Sequence, residues 1–155
     1  MEDTDKILQE ELGNIGDEWG GIGAGIGATW AARRLPNNAF AASVELDLST
    51  ARALAELEDA ARRLGRVIGR DVSDSGASLK FVIGAGFWNL NPAVVDVHIS
   101  SLDDGRCRVV ITGTAKEGLI KQRAGEGAVR RFLAATRFGS ISTTSSDIGP
   151  ISGAG

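Results

Sequence analysis

His98 and Cys107 are the two residues of this 155-residue chain whose types suit nucleophilic catalysis, in which a thiolate attacks while an imidazole takes up the proton. With one histidine and one cysteine in all, a Cys/His zinc site is excluded, because such sites draw several ligands of these two kinds. Periodicity also separates the pair. Val95, Val97 and Ile99 alternate with Asp96, His98 and Ser100, and Asp103-Asp104-Gly105 fits a three-residue hairpin loop leading into residues 106–115. That register sets Val97 against Ile111, Ile99 against Val109 and His98 against Val110. Cys107 then lies in phase with Val109 and Ile111 on the apolar face, and His98 on the opposite face. The expectation is a buried structural thiol and a solvated imidazole near Asp96.

Phosphate chemistry has two candidate sites and neither has the required context. Gly23-Ala24-Gly25-Ile26-Gly27-Ala28 matches the G-x-G-x-x-A form of the dinucleotide fingerprint, but Asp17-Glu18-Trp19-Gly20-Gly21 precedes it where a buried strand is needed. Gly84-Ala85-Gly86 does follow a strand pattern, yet Trp88 and Asn89 stand where the third glycine and a helix belong, and Pro92 prevents an early helix. Glu56 and Asp59 lie on the exposed side of a helix. Arg62, Arg66 and Arg70 read as a basic row at that helix's C-terminal end, where they complement its dipole. Residues 114–118, at a strand end, are a weaker candidate for a functional loop. These readings imply no catalytic constellation, no cofactor and no metal, and the chain is expected not to be an enzyme.

The elements that position these residues divide the chain into an arm over residues 1–37, a body over 38–137 and a Ser/Thr/Gly-rich tail over 138–155, expected to be flexible apart from isoleucines (Ile141, Ile148, Ile151) that suit a docked piece. Pro36-Asn37-Asn38 marks the first boundary, since proline disfavours helix in the residue before it. Val44, Leu46 and Leu48 alternate with polar residues as a strand, and Ser49 caps the helix that follows. Leu54, Leu57, Ala61, Leu64 and Ile68 recur at helical spacing, so this helix is expected to end near Gly65 or Gly69. Residues 71–78 read as loop. Leu79, Phe81 and Ile83 form a second strand interrupted by Gly84 and Gly86, with a short extra strand expected at Phe87 and Trp88 before the hairpin. A last helix is expected from about Leu119 to Arg137, with Gly125 and Gly127 marking close contact with the sheet or a break.

The expected fold is α+β, in the order β-α-β-β-β-α with room for that extra strand. A small antiparallel sheet is covered on one face by two helices, and a glycine-striped helical arm precedes it. The opposite face, with Glu45, Asp47, Lys80, Asp96, His98, Arg108 and Thr112, is expected in water. Strand, helix, three or four antiparallel strands and helix across residues 41–137 resemble the TATA-binding-protein-like and helix-grip folds, which include START-type lipid carriers. The resemblance is one of topology and carries no functional residue. It implies a class that binds apolar ligands or macromolecules between sheet and long helix. A small apolar ligand or lipid would then meet Phe81, Phe87, Trp88 and Phe132, which otherwise serve as ordinary core.

The most specific pattern is in the arm. Leu8, Leu12, Ile15, Trp19, Ile22, Ile26 and Trp30 fall three or four residues apart, and Gly16, Gly20, Gly23 and Gly27 run beside them, one bulky stripe next to one bare one. Trp19 to Ala32 is free of charge for fourteen residues. That suits a buried or interfacial segment and falls short of the roughly 20 residues that span a bilayer. Five glycines in a helix cost on the order of 4–5 kcal/mol relative to alanine, so the segment needs a partner surface. That surface is the chain's own body, another copy or lipid; a second copy is the expected partner, giving a homo-oligomer. Another protein and a membrane surface, for which the flanking tryptophans and Arg33-Arg34 suit an interfacial helix, are the alternatives.

Charge argues against nucleic acid. Residues 1–37 carry net −4, residues 38–137 net +2 and the tail −1, within a chain of net −3. A body at +2 with an acidic arm collects few phosphate contacts. The lone cysteine and the acidic start (Glu2, Asp3, Asp5) lead us to expect a cytoplasmic protein with no secretory signal.

Overall fold

One strand, one helix, four strands and a second long helix follow one another along the body. The computed structural model describes residues 4–11, 37–85, 91–102, 105–116, 123–138 and 144–146. Its elements are α1 (a helix described over residues 4–11), β1 (Asn37–Leu46), α2 (Thr50–Leu64), β2 (Gly65–Ser73), β3 (Gly76–Ala85), β4 (Asn91–Ser101), β5 (Cys107–Lys116), α3 (Ala124–Ala135) and β6 (Thr144–Ser146). The strands form one antiparallel sheet in the order β2-β3-β4-β5-β1-β6. The class is α+β.

The core lies between this sheet and the two long helices. Phe40, Ala42, Val44 and Leu46 alternate inward on β1, as do Leu79, Phe81 and Ile83 on β3, Val95, Val97 and Ile99 on β4, and Cys107, Val109 and Ile111 on β5. Leu54, Leu57 and Ala61 of α2 and Ala128, Val129 and Phe132 of α3 close the same cluster from one side. Ser49 caps α2, its hydroxyl accepting from the Arg52 amide at 3.5 Å. The β4–β5 register pairs Val97 with Ile111, Ile99 with Val109 and His98 with Val110, as the alternation predicts. Gly105 has φ of 73°, the left-handed conformation that a tight hairpin loop reserves for glycine.

Several expectations change. The additional strand is β2, formed where the sequence suggests helix end and loop; Phe87 and Trp88 lie outside the described residues. Helix α2 stops at Leu64 because Gly65 turns at once into extended backbone, at φ −173° and ψ −152°, and pairs with Ile83. A Cβ at residue 65 would collide with the Val82 carbonyl oxygen, so only glycine allows so direct a helix-to-strand passage. Ile68, which continues the helical spacing, is therefore in a strand. A bulge between Val67 and Gly69 packs Val67 on the core and Ile68 on the opposite face. Residues 71–78 form a hairpin whose turn is only residues 74–75. β3 runs on through Gly84 and Ala85, which pair with Pro92 and Asn91.

β1 starts at Asn37 and pairs along its whole length with β5, while Leu48 lies beyond its end. α3 begins at Ala124, behind Arg123 in the left-handed conformation at φ 48°. In the tail, residues 144–146 pair with Ala41–Ser43 as an edge strand, because β1 offers free backbone groups on that side. The face expected in water is also partly covered. Val82 and Val94 point to it, and α1 lies over them.

Candidate functional site: the face of the sheet beneath helix α1

Val82 and Val94 are cross-strand neighbours, and Val94 in turn faces Thr114, so the outer sheet face carries an apolar pair beside the polar row of Lys80, Asp96 and Thr112. Leu8 packs on this pair and is fully buried there, with Ile7 and Ile68 packed at its side. Burying one leucine is worth about 1.5–3 kcal/mol. The sheet thus gives α1 a buried apolar contact over its described residues.

Two ion pairs fix its direction. Asp5 meets Lys116 on β5, Oδ1 to Nζ at 3.2 Å, and Glu11 meets Arg66 on β2. Helix α1 therefore crosses the strands from β5 to β2, with an acid near each end and Leu8 between them. Lys116 is only 4% exposed, while the Asp5 side chain remains partly open to solvent. The Arg66 partner is largely exposed and contributes less.

Beside α1 the face opens into a polar groove of about 590 Å³, bounded by Ile7, Glu10 and Glu11 of α1, the β2 segment 66–71, and Ser78, Lys80, Asp96 and His98 of β3 and β4. Its cations face carboxylates. Lys80 pairs across the strands with Asp96 at 3.2 Å, and Arg70 donates from Nε to Glu58 Oε2 at 3.0 Å. Glu58 also accepts from Arg62 Nη2 at 2.6 Å. The Arg62 hydrogen bond first, and Arg70 beside it, hold the Glu58 carboxyl below the usual range. Glu45 is lowered likewise by its hydrogen bond from Arg108, which joins β1 to β5. The expected basic row of Arg62, Arg66 and Arg70 is thus split between α2 and β2, and each member has a carboxylate at contact distance.

No protein family, curated protein or solved structure matches this chain. Its function is read from its own residues.

The catalytic pair stays apart. Cys107 is buried in the core, where desolvation pushes its thiol pKa up, and His98 is exposed on the groove side. Ser78 and His98 are cross-strand partners with Asp96 two residues along, but no hydrogen bond among the described residues joins Ser78 to His98, and Asp96 faces Lys80. Cys107→Ser is expected to lose about 1–3 kcal/mol by placing a hydroxyl in an apolar layer. His98→Ala, at an exposed site, is expected to lose less than about 0.5 kcal/mol. Urea denaturation of the two variants checks this order, and the reverse order would mean a register shifted by one residue.

Phe81 and Phe132 of the expected apolar contacts are both fully buried, their ring centroids 4.7 Å apart at an interplanar angle of 52°. They fill core between β3 and α3 and touch each other directly. Of the self-association residues, Leu8 is the one described, and it packs on the chain's own sheet. Leu12, Ile15, Gly16, Trp19, Gly20, Ile22, Gly23, Ile26, Gly27 and Trp30 lie outside the described residues, as do the Gly23–Ala28 fingerprint match and Gly86. Among the described residues no helix is long and apolar enough to cross a membrane.

Sequence reasoning missed the seat of α1. The signal was present in Val82 and Val94, two valines in phase with Lys80 and Asp96, which leave an apolar strip on a polar face. Thr114 and Lys116, weighed as a loop, are buried β5 residues at the end of that strip.

Proposed function

We propose that this chain is a non-enzymatic interaction protein of the cytoplasm, whose body presents residues 12–36 for association with the same segment of another copy. The spacing of Leu12, Ile15, Trp19, Ile22, Ile26 and Trp30, with Gly16, Gly20, Gly23 and Gly27 beside them, carries this reading. Leu8, the first residue of the stripe, is spent on the chain's own sheet. Residues 12–36 run between α1, seated on the outer face, and β1. The apolar stripe and the glycines beside it are therefore tethered to the body at both ends. The body's order of strand, helix, four strands and helix supports the helix-grip-like reading of its topology, and its groove, with cations and carboxylates matched, suits a contact surface better than a reaction centre.

The molar mass of the whole chain, measured by light scattering or sedimentation equilibrium, tests the reading. An oligomer is expected, and Ile26→Asp, which sets a charge in the stripe, is expected to return it to monomer. Gly23→Leu should weaken assembly although the helix itself gains roughly 0.6–1 kcal/mol of propensity. A monomer for the unmodified chain would overturn the proposal. Pelleting with anionic vesicles by a chain that stays monomeric would replace the second copy with a membrane surface.

A further inference from the structure

Strand β2 ends the sheet on its side, and among the described residues the strand it pairs with is β3 alone. The bulge between Val67 and Gly69 breaks the first half of its outer edge, while residues 69–73 pair with β3 in unbroken register. Ser73 and Gly76 close a two-residue turn, and the Ser101 amide donates to the Ser75 carbonyl, so the hydrogen bonds to β3 come from Ser73, Asp71 and Gly69. The backbone amides and carbonyls of Arg70 and Val72 then point outward. Val72 is also the most exposed large apolar side chain among the described residues, at 55%. An edge of this kind is a template for another strand.

We propose that the β2 edges of two copies pair antiparallel about a two-fold axis at Val72, joining their sheets. Outward backbone groups must meet outward ones, and the charges then choose among the symmetric registers. An axis at Arg70 sets that arginine against itself, and an axis at Asp71 sets that carboxylate against itself. Like charges directly opposite are unfavourable. An axis at Val72 brings the two valines together and sets Arg70 of each copy opposite Asp74 of the other, the first residue of the turn. Within the chain, no ion pair among the described residues engages Asp74, while Arg70 keeps Glu58 of its own α2 as a neighbour. Arg70 and Val72 lie across from Leu79 and Ala77, so these side chains share the face that α2 covers and meet there in the pair. The contact spans a few residues on each copy, which makes it reversible. It does not depend on the stripe in residues 12–36.

Full-length chains carrying Ile26→Asp, in which the stripe is broken, test the edge by itself. In this register the two residue-72 Cα atoms lie about 5.5 Å apart, within disulfide range. Val72→Cys under oxidised glutathione is expected to give a covalent dimer on a non-reducing gel. Arg66→Cys, on the same strand but far from the axis, should give only the slow background of chance encounter, and the buried Cys107 takes no part. Asp74→Arg, added to the Val72→Cys chain, sets like charges opposite at both ends of the contact and should slow cross-linking by about tenfold. Arg70→Asp, added instead, should do the same. Mixing the two reversed chains should restore the rate, with the dimer shown by mass spectrometry to hold one of each, because every arginine then faces an aspartate. A Val72→Cys dimer that forms no faster than the Arg66→Cys dimer, or at a rate that the charge reversals leave unchanged, overturns edge pairing. The molar mass of the unmodified chain tests the stripe separately, so either reading can fail alone.

Discussion

Gly113→Val is expected to lift helix α3 from the sheet and to destabilise the chain by about 3 kcal/mol, the upper end of what overpacking a core costs. Gly113 lies on the inner face of β5, flanked by Phe40 on β1 and Val95 on β4. Those two large neighbours leave a notch at the glycine, and the first turn of α3 enters it. A Cβ on residue 113 would overlap the Gly125 carbonyl oxygen and come within 2.7 Å of Val129 Cγ2. The Val129 side chain can yield by a small rotation, but the Gly125 carbonyl belongs to helix backbone and moves only with α3. Since α3 contributes Ala128, Val129 and Phe132 to the core, moving it loosens several contacts together. Gly113→Ala should show the same effect at smaller size. Gly127→Ala, where an added Cβ meets nothing within 4 Å, should instead stabilise by up to about 1 kcal/mol, the helix propensity gained. Thermal melts of the three variants give the test, because each kcal/mol moves the midpoint by roughly 2–4 °C in a chain of this size. Equal melting temperatures for Gly113→Val and the unmodified chain would show that α3 does not rest on β5.

The same glycines show how far the sequence could be read. Gly125 and Gly127 in a helical pattern signal either a close approach or a break, and the pattern alone does not choose. The partner that decides, Gly113, is on another element. The hairpin of β4 and β5 was legible because a turn type and two alternating strands agree on one register. The β2 hairpin was not, because Leu64 and Ile68 extend the spacing of α2 by four residues, and helical and strand periods coincide over so short a run. Gly65 decided the matter, through a contact with the Val82 backbone that is non-local. The covering of Val82 and Val94 was partly legible, since two valines on a polar face call for a lid. What supplies it was not, because Leu8 belongs to a stripe whose other members gave no reason to separate it from them. Fold class and inner face therefore follow from local pattern, while the seat of α1 depends on residues more than fifty positions apart in the chain.

Phe132→Ala is the second large effect expected, a loss of about 3–5 kcal/mol. Phe132 is fully buried and stacks at a tilt on Phe81, so truncation removes the transfer energy of one ring, the contact between the two rings, and the filling of the space between β3 and α3. Phe81, the ring it meets, is itself fully buried in the packed core, which leaves it little room to collapse into the gap. The measurement also separates a core from a carrier pocket. If Phe81 and Phe132 are packing residues, the loss appears in the ligand-free chain, and part of it is recovered by benzene or a similar small apolar molecule entering the new cavity, as dry apolar cavities of that kind allow. If the two rings instead line a space that is filled by a natural apolar ligand, Phe132→Ala should leave the ligand-free stability nearly unchanged, within about 1 kcal/mol, because little is lost where little was packed. Direct contact between the rings favours the first outcome. Denaturant titration of the variant with and without benzene distinguishes the two, and a small loss with no benzene effect would return the space between sheet and α3 to consideration as a binding site.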